Sequence, residues 1–186
     1  TDLSRTNIEA ATETARQRGL DALVSFEVGD AEALPYDGSF DAVICECAFC
    51  TFPDKAAAAR SMARAVRPGG RLGFTDLIRT RPLPRELDGL LAWIACVADA
   101  RPPEEYRDHL EAAGFRIEVI EDHRPALVEM VRAIQGRLLG AKIMVEMRKV
   151  ALPGVDLTQA GRLARAALAA VRDGTLSYVL LTGRRA

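Results

Sequence analysis

Short apolar runs alternate along the chain with longer stretches in which apolar residues recur every three or four positions. The clearest run is residues 40–44 (FDAVI), which follow the turn Asp37-Gly38-Ser39 and predict a buried strand of a parallel sheet. Comparable runs predict strands at residues 24–28, 71–75, 115–121 and 176–181. Helical spacing predicts helices at residues 4–18, 53–67, 85–99, 102–113, 126–149 and 158–172. Because strands and helices alternate, the pattern predicts an α/β fold.

Residues 124–174 break this alternation with two consecutive predicted helices, which we interpret as a helical insertion. The pair carries more apolar surface than two helices need to cover each other, at Met130, Ile134, Leu138, Met144, Val145 and Met147. This excess predicts a lid over a substrate or a contact in a homodimer. The alternative is a further layer of core.

Polar and thiol side chains follow the strand at 40–44, namely Cys45, Glu46, Cys47 and Cys50. In an open α/β sheet, ligands bind outside the carboxyl ends of the strands. We therefore expect these residues to face a binding site.

Composition excludes several classes of partner. The 186 residues, 49% of them hydrophobic, fit one globular domain, and 25 basic against 26 acidic residues leave no field that favours nucleic acid. No apolar run approaches the roughly 20 residues of a membrane span, and the first residues lack the pattern of a signal peptide. Three of the four cysteines crowd into residues 45–50, which favours a reducing, cytoplasmic compartment over a disulfide framework.

The ordered series DLS, GDAEALPYDGSFDAVI, RPGGRLGFTDL and EEYRDHLEAAGF resembles the class I methyltransferases that use S-adenosylmethionine. The resemblance covers about the first two thirds of the chain. It implies one methyltransferase domain over residues 1–186, with S-adenosylmethionine as cofactor. The implied fold is α/β, Rossmann-like and doubly wound, with a mostly parallel sheet, an antiparallel last strand and the helical insertion.

The resemblance also implies residues that bind the cofactor. Asp2 would accept both ribose hydroxyls, because a carboxylate can take two O–H donors at once. The other implied contacts are Leu3 on the adenine, Asp30 and Ala31 at the adenine edge, and Cys45 and Glu46 beside the methionine moiety and the substrate.

One feature of the family is absent from this sequence. The family binds the methionine end of the cofactor with a glycine-rich turn that follows its first strand. In the family's strand order, this first strand lies in the middle of the sheet, between the strands that end near Asp2 and near Cys45. Residues 67–71 (RPGGR) stop a helix and do not replace that turn. We expect a segment before Thr1 to supply the central strand and the turn.

A narrower resemblance concerns arsenite methyltransferases. Residues 43–48 (VICECA) are similar to a VISNCV pattern with Cys47 on the family's cysteine, and Cys96 precedes an EYR helix and AGF as a second cysteine does there. Thiolates are soft ligands, so this resemblance implies that Cys47 and Cys96, with Cys50 or Cys45 as a third candidate, bind As(III) as the substrate. Cysteines as small apolar packing groups remain the alternative. Cys47-x₂-Cys50 lacks the second pair of ligands that a zinc site needs.

Two further functions stay open. Methylation of O, N or C in a small organic acceptor would use Glu46 or a histidine to help remove a proton. A non-catalytic subunit that binds the cofactor would fit the absent glycine-rich turn. His109 and His123 themselves are predicted to be solvated.

Overall fold

Four strands form one mixed sheet in the order β1-β2-β4-β3. The computed structural model describes residues 1–87, 97 and 99–186. The strands are β1 (Phe40–Glu46), β2 (Val66–Arg79), β3 (Phe115–Asp122) and β4 (Leu176–Arg185). β1 and β2 are parallel, and β4 is antiparallel to both β2 and β3, so β1, β2 and β3 run in one direction. The predicted α/β fold with an antiparallel last strand is confirmed.

Five helices are described, and they fall where the apolar spacing predicts them: α1 (Arg5–Gln17), α2 (Lys55–Ala65), α3 (Pro103–Ala112), α4 (Arg124–Glu146) and α5 (Leu157–Arg172). Local chemistry sets their starts. The Ser4 hydroxyl accepts a hydrogen bond from Asn7 N at 3.3 Å, and the Asp54 carboxylate accepts one from Ala57 N at 2.8 Å. Among the described residues, no helix combines the length and hydropathy that a membrane crossing requires.

Two predicted strands differ from the structure. Residues 24–28 do not form a strand, because their described pairing is a single parallel bridge between Asp2 and Val28 rather than a ladder. β2 starts at Val66, five residues before the predicted Arg71. The pairing of β1 with β2 shifts in register between Phe40↔Val66 and Ala42↔Arg71. The resulting irregularity in β2 contains the Pro-Gly-Gly sequence. A Cβ at Gly70 would lie 2.9 Å from the Asp41 carbonyl oxygen, so only glycine fits there.

The helix predicted over residues 85–99 is only partly described. Arg85–Leu87 form a short 3₁₀ turn. Residues 88–96 and 98, and with them Cys96, lie outside the described residues.

Each face of the sheet has its own core, because side chains alternate along β2. Phe74 packs on α2 and α3, where the Phe49 ring meets the rings of Phe74 and Tyr106 with centroids 5.3 and 5.7 Å away. Leu77 packs in the second core with Leu127 of α4 and residues of α5. The helical pair therefore covers one face of the sheet near the carboxyl end of β2. Within this pair, the side chains of Met130, Ile134, Met144 and Met147 remain exposed.

β1 lies at the edge of the described sheet. Its Ile44 side chain is 79% exposed. A cavity of about 350 Å³ separates β1 from residues 25–27 and is lined on its two sides by Phe40 and Ser25, among others. This is the position at which the sequence predicts a further strand, and that strand stays a prediction.

Candidate cofactor and acceptor site

The bridge between Asp2 and Val28 places two acidic residues at one edge of the fold. Asp2 N donates to the Glu27 carbonyl oxygen at 3.3 Å, and Gly29 N donates to the Asp2 carbonyl oxygen at 3.1 Å. The chain then turns at Asp30, whose carboxylate accepts a hydrogen bond from Glu32 N at 2.9 Å. Asp2 and Asp30 therefore follow two neighbouring, parallel segments, as the sequence predicts for the adenosine end of the cofactor.

The Asp2 carboxylate is held in place by the start of α1. Its Oδ1 accepts from Ser4 N at 2.7 Å, and its Oδ2 accepts from Asn7 Nδ2 at 3.1 Å. These bonds, first that from Ser4, lower the pKa of Asp2 below its ordinary value. A carboxylate has about four lone-pair sites, so about two remain for further donors. An oriented, ionised carboxylate of this kind fits a ribose diol.

The neighbouring residues suit an adenine ring. Leu3 is 71% exposed and presents an apolar side chain beside Asp2. Ala31 is half-buried and begins the short 3₁₀ turn that Asp30 caps. The residues predicted to hold adenosine are thus compatible with that role, which stays a prediction.

Cys45 and Glu46 point to opposite faces of the sheet, because they are consecutive in β1. Cys45 pairs with Phe74 and is buried in the core, where burial raises the pKa of its thiol to about 12. Glu46 pairs with Thr75 and is exposed. The Cys45 side chain therefore serves packing, and of the two residues only Glu46 offers its side chain to a ligand at this strand end.

Cys47 directly follows β1 and has a strained backbone conformation. Its φ is 49°, in the left-handed region that non-glycine residues rarely adopt. Cys47 N donates to the Thr75 carbonyl oxygen at 2.8 Å, which holds the turn against β2. The half-buried Cys47 side chain packs against the core beneath the helical pair.

Cys50 lies deeper, in a short 3₁₀ turn that follows. It is fully buried, and its backbone N donates to Asp76 Oδ2 at 2.9 Å, while Leu77 N donates to Asp76 Oδ1 at 2.7 Å. Burial raises the pKa of Asp76, although the hydrogen bonds from Cys50 oppose this. Sequence reasoning missed Asp76, whose signal is a lone carboxylate inside the apolar strand GFTDLI.

A buried lysine holds the same turn from the other side. Lys55 Nζ donates to the carbonyl oxygens of Cys50 and Phe52 at 2.9 and 3.1 Å and to Asp99 Oδ2 at 2.8 Å. Burial alone would raise the pKa of Asp99, but the hydrogen bond and charge of Lys55, with the charge of Arg101, lower it. Asp76 and Lys55 together fix the backbone at Cys50 and Phe52, just after Cys47, and sequence reasoning missed both.

Four polar groups lie near one another at the end of β1, where Glu46 pairs with Thr75 of β2, and we call Glu46, Cys47, Thr75 and Tyr178 the strand-end corner. Tyr178 of β4 donates its hydroxyl to Thr75 Oγ1 at 2.8 Å. Burial raises the pKa of Tyr178, and the nearby Cys47 and Glu46 add to this shift. Tyr178 was not singled out from the sequence, because its position depends on the neighbour of β2 in the sheet.

The predicted metalloid site is not assembled within the described part of the chain. There, no group of three or more His, Cys, Asp or Glu side chains is arranged to hold a metal ion. Cys47 is half-buried, Cys50 is fully buried, and Cys96 lies outside the described residues. Joint binding of As(III) by these cysteines stays a prediction.

The histidines are less solvated than the sequence predicts. His109 is half-buried, with its ring centroid 6.4 Å from that of Phe49. His123 Nε2 lies 3.0 Å from Glu121 Oε2, and its side chain is 42% exposed. Both therefore contact neighbours on the protein surface.

Known proteins are similar to this chain in sequence and in fold. The family described as "Methyltransferase domain" matches residues 1–74. Methyltransferase GfsG from Streptomyces halstedii is 31% identical over 170 residues, covering 86% of this chain and 61% of that protein. 27-O-demethylrifamycin SV methyltransferase from Amycolatopsis mediterranei is 30% identical over 98% of this chain and 66% of that protein. The chain thus spans less than two thirds of the length of either relative.

The structural comparison agrees. Phosphoethanolamine N-methyltransferase 2 from Haemonchus contortus, solved with S-adenosyl-L-methionine, superposes with a TM-score of 0.76 at 19% identity, covering 99% of this chain and 42% of that chain. Residues 1–74 therefore match a methyltransferase domain, and the chain is similar in sequence to methyltransferases over most of its length. The predicted Rossmann-like fold is confirmed. The predicted cofactor, S-adenosylmethionine, is supported by the match to a methyltransferase domain.

The narrower arsenite resemblance receives partial support. Arsenite methyltransferase from Halobacterium salinarum is 33% identical over 97 residues, which cover 50% of this chain and 24% of that protein. Two relatives that are not arsenite enzymes by name match more of the chain, 86% and 98%.

Proposed function

We propose that the protein transfers the methyl group of S-adenosylmethionine to an oxygen or carbon atom of a small organic acceptor at the strand-end corner. The observation that carries this proposal is the chemistry of that corner. Glu46, Thr75 and Tyr178 supply a carboxylate, a hydroxyl and a phenol, whereas Cys47 is the one partly exposed thiol among the three described cysteines. This set suits an acceptor with an acidic O–H or C–H better than a metalloid that needs several thiolates.

Each residue has a distinct task in this proposal. Bound S-adenosylmethionine supplies an electrophilic methyl group, and Asp2 would hold its ribose. Thr75 accepts the Tyr178 hydroxyl hydrogen, so its own hydroxyl hydrogen can be donated to an acceptor oxygen. The exposed Glu46 would accept the proton that the acceptor loses. The turn at Cys47, whose N–H donates to the Thr75 carbonyl oxygen, would keep these groups at fixed positions.

Arsenite is a second candidate, which the similarity to arsenite methyltransferases and the partly exposed Cys47 favour. It requires Cys96, or another thiol, to approach Cys47. The two candidates predict different products from the same protein, so one assay separates them.

The assay offers labelled S-adenosylmethionine with either 4-butylphenol or arsenite plus glutathione, and mass spectrometry identifies the methylated product. We expect the aryl methyl ether. Glu46→Gln should lower its rate of formation by about a hundredfold, because general-base catalysis contributes roughly that much. Glu9→Gln, on the exposed face of α1, is the matched control.

Two outcomes would contradict the proposal. If the protein forms methylated arsenic but no methyl ether, and Cys47→Ser abolishes the methylated arsenic, the arsenite reaction would be established instead. S-adenosylmethionine binding without either product would favour the non-catalytic subunit.

A further inference from the structure

An apolar cavity that is partly open to solvent lies between the helical pair and the sheet. Its volume is about 290 Å³, and every lining residue is Leu, Ile, Val, Met or Ala. Leu77 and Leu176 form its floor on the sheet, and residues of α4 and α5 form its walls. No charged or polar side chain among the described residues lines it. A hydrocarbon chain that binds against this lining would remove apolar surface from water.

The cavity adjoins the strand-end corner. Leu77 pairs directly with Tyr178 across β2 and β4, and directly paired residues in antiparallel strands have Cα atoms about 5 Å apart. Leu176 lies two residues from Tyr178 on β4, on the same face and about 7 Å along the strand. Cys47 and Tyr178 both pack against the core that contains Leu77 and Leu176. One molecule can therefore reach the polar corner and fill the cavity.

We propose that this cavity binds the hydrocarbon part of the methyl acceptor, so that the substrate class is an uncharged amphiphile with its nucleophilic group at one end. The proposal rests on the function proposed above. A cavity of about 150 Å³ holds one benzene molecule, so 290 Å³ accommodates roughly ten carbon atoms. The absence of a charged lining residue among those described selects against a charged or strongly hydrated tail.

The first experiment measures binding without any methyl transfer. Straight-chain alkanols from hexanol to tetradecanol are titrated against the protein by displacement of the fluorescent probe N-phenyl-1-naphthylamine. We expect affinity to rise about fourfold per added methylene and to level off at about ten carbons, when the cavity is full. Nonspecific surface binding would keep rising with chain length, and such a rise would overturn the proposal.

Variants that fill the cavity sharpen this test. Ala167 lines the cavity, and Ala167→Leu adds three carbon atoms, so the plateau should move down by about three carbons. Ala160→Leu, at another lining position, provides a second test should the first variant fold poorly. Ala169→Leu, on the exposed side of α5, should leave the plateau unchanged. A plateau that none of these variants moves would refute the assignment to this cavity.

The second experiment connects the cavity to the acceptor. Across 4-alkylphenols of increasing chain length, KM should fall to the same plateau while kcat stays nearly constant, and Ala167→Leu should raise KM for the longest chains. Methylation with no dependence on chain length would overturn the proposal, although the proposed function would stand. Alkanol binding with the expected plateau but no methylated phenol would refute the proposed function and not the cavity.

Discussion

Asp76 offers the most direct test of how the site is held together. Its two carboxylate oxygens accept from two different backbone donors, Cys50 N at 2.9 Å and Leu77 N at 2.7 Å. Asp76→Asn keeps one carbonyl oxygen and turns an amide NH₂ toward the other donor. One buried N–H then loses its acceptor, which costs about 1–3 kcal/mol of unfolding free energy.

The pH dependence gives a second, independent readout. Burial raises the pKa of Asp76 above its ordinary value of 3.8. At pH values between 3.8 and the higher pKa of the folded state, the folded protein therefore binds the proton more tightly than the unfolded chain does. The stability from this carboxyl is therefore fully present below that window and is lost as the pH rises through it. The slope is at most about 1.4 kcal/mol per pH unit. The Asn variant lacks this slope. Its deficit in unfolding free energy relative to the unsubstituted protein should therefore be largest near pH 4 and shrink toward pH 8.

Urea unfolding followed by circular dichroism, between about pH 4 and pH 8, measures this difference. Asp37→Asn, in an exposed turn, corrects for the loss of one negative charge. A deficit that grows with pH would show that the two N–H donors outweigh burial and lower the pKa of Asp76. A deficit below about 0.5 kcal/mol at every pH would refute the proposed hydrogen-bonding role.

Three further predictions concern residues around the site. Asp2→Asn should weaken S-adenosylmethionine binding at least about tenfold in calorimetry, because charge-assisted hydrogen bonds contribute about 1.5–3 kcal/mol. The control Asp21→Asn should leave the affinity unchanged. Equal affinities of the two variants would disprove the ribose assignment. Cys47→Gly should be more stable to urea than Cys47→Ala by about 1 kcal/mol, because a left-handed backbone conformation strains alanine but not glycine. A higher unfolding free energy for the alanine variant would contradict a strained backbone at Cys47. Lys55→Met should lower the unfolding free energy by about 2 kcal/mol by leaving Asp99 without its main partner; a change near zero would show that the pair is replaceable.

Local sequence determined most of the secondary structure. α1 follows its Ser4 cap and ends before Gly19, whose φ is 66°, and α3 similarly ends before Gly114 at φ 102°. These signals depend on hydrogen bonds and steric clashes among residues a few positions apart, so they can be read along the chain. The order of the family's motifs likewise indicated the fold.

Tertiary structure alone decided which of these side chains meet. Lys55 and Asp99 are 44 positions apart, and Thr75 and Tyr178 are 103 apart, so their contacts depend on the strand order β1-β2-β4-β3. The sequence brings three cysteines together, yet Cys45 and Cys50 are buried while Cys47 is partly exposed. Strand alternation would place Cys45 and Cys47 on the same face, but β1 ends between them, and the chain turns at Cys47, whose φ is 49°, so its side chain packs against the core on the other face. The apolar cavity likewise exists only because two helices from residues 124–172 pack over strands from distant parts of the chain.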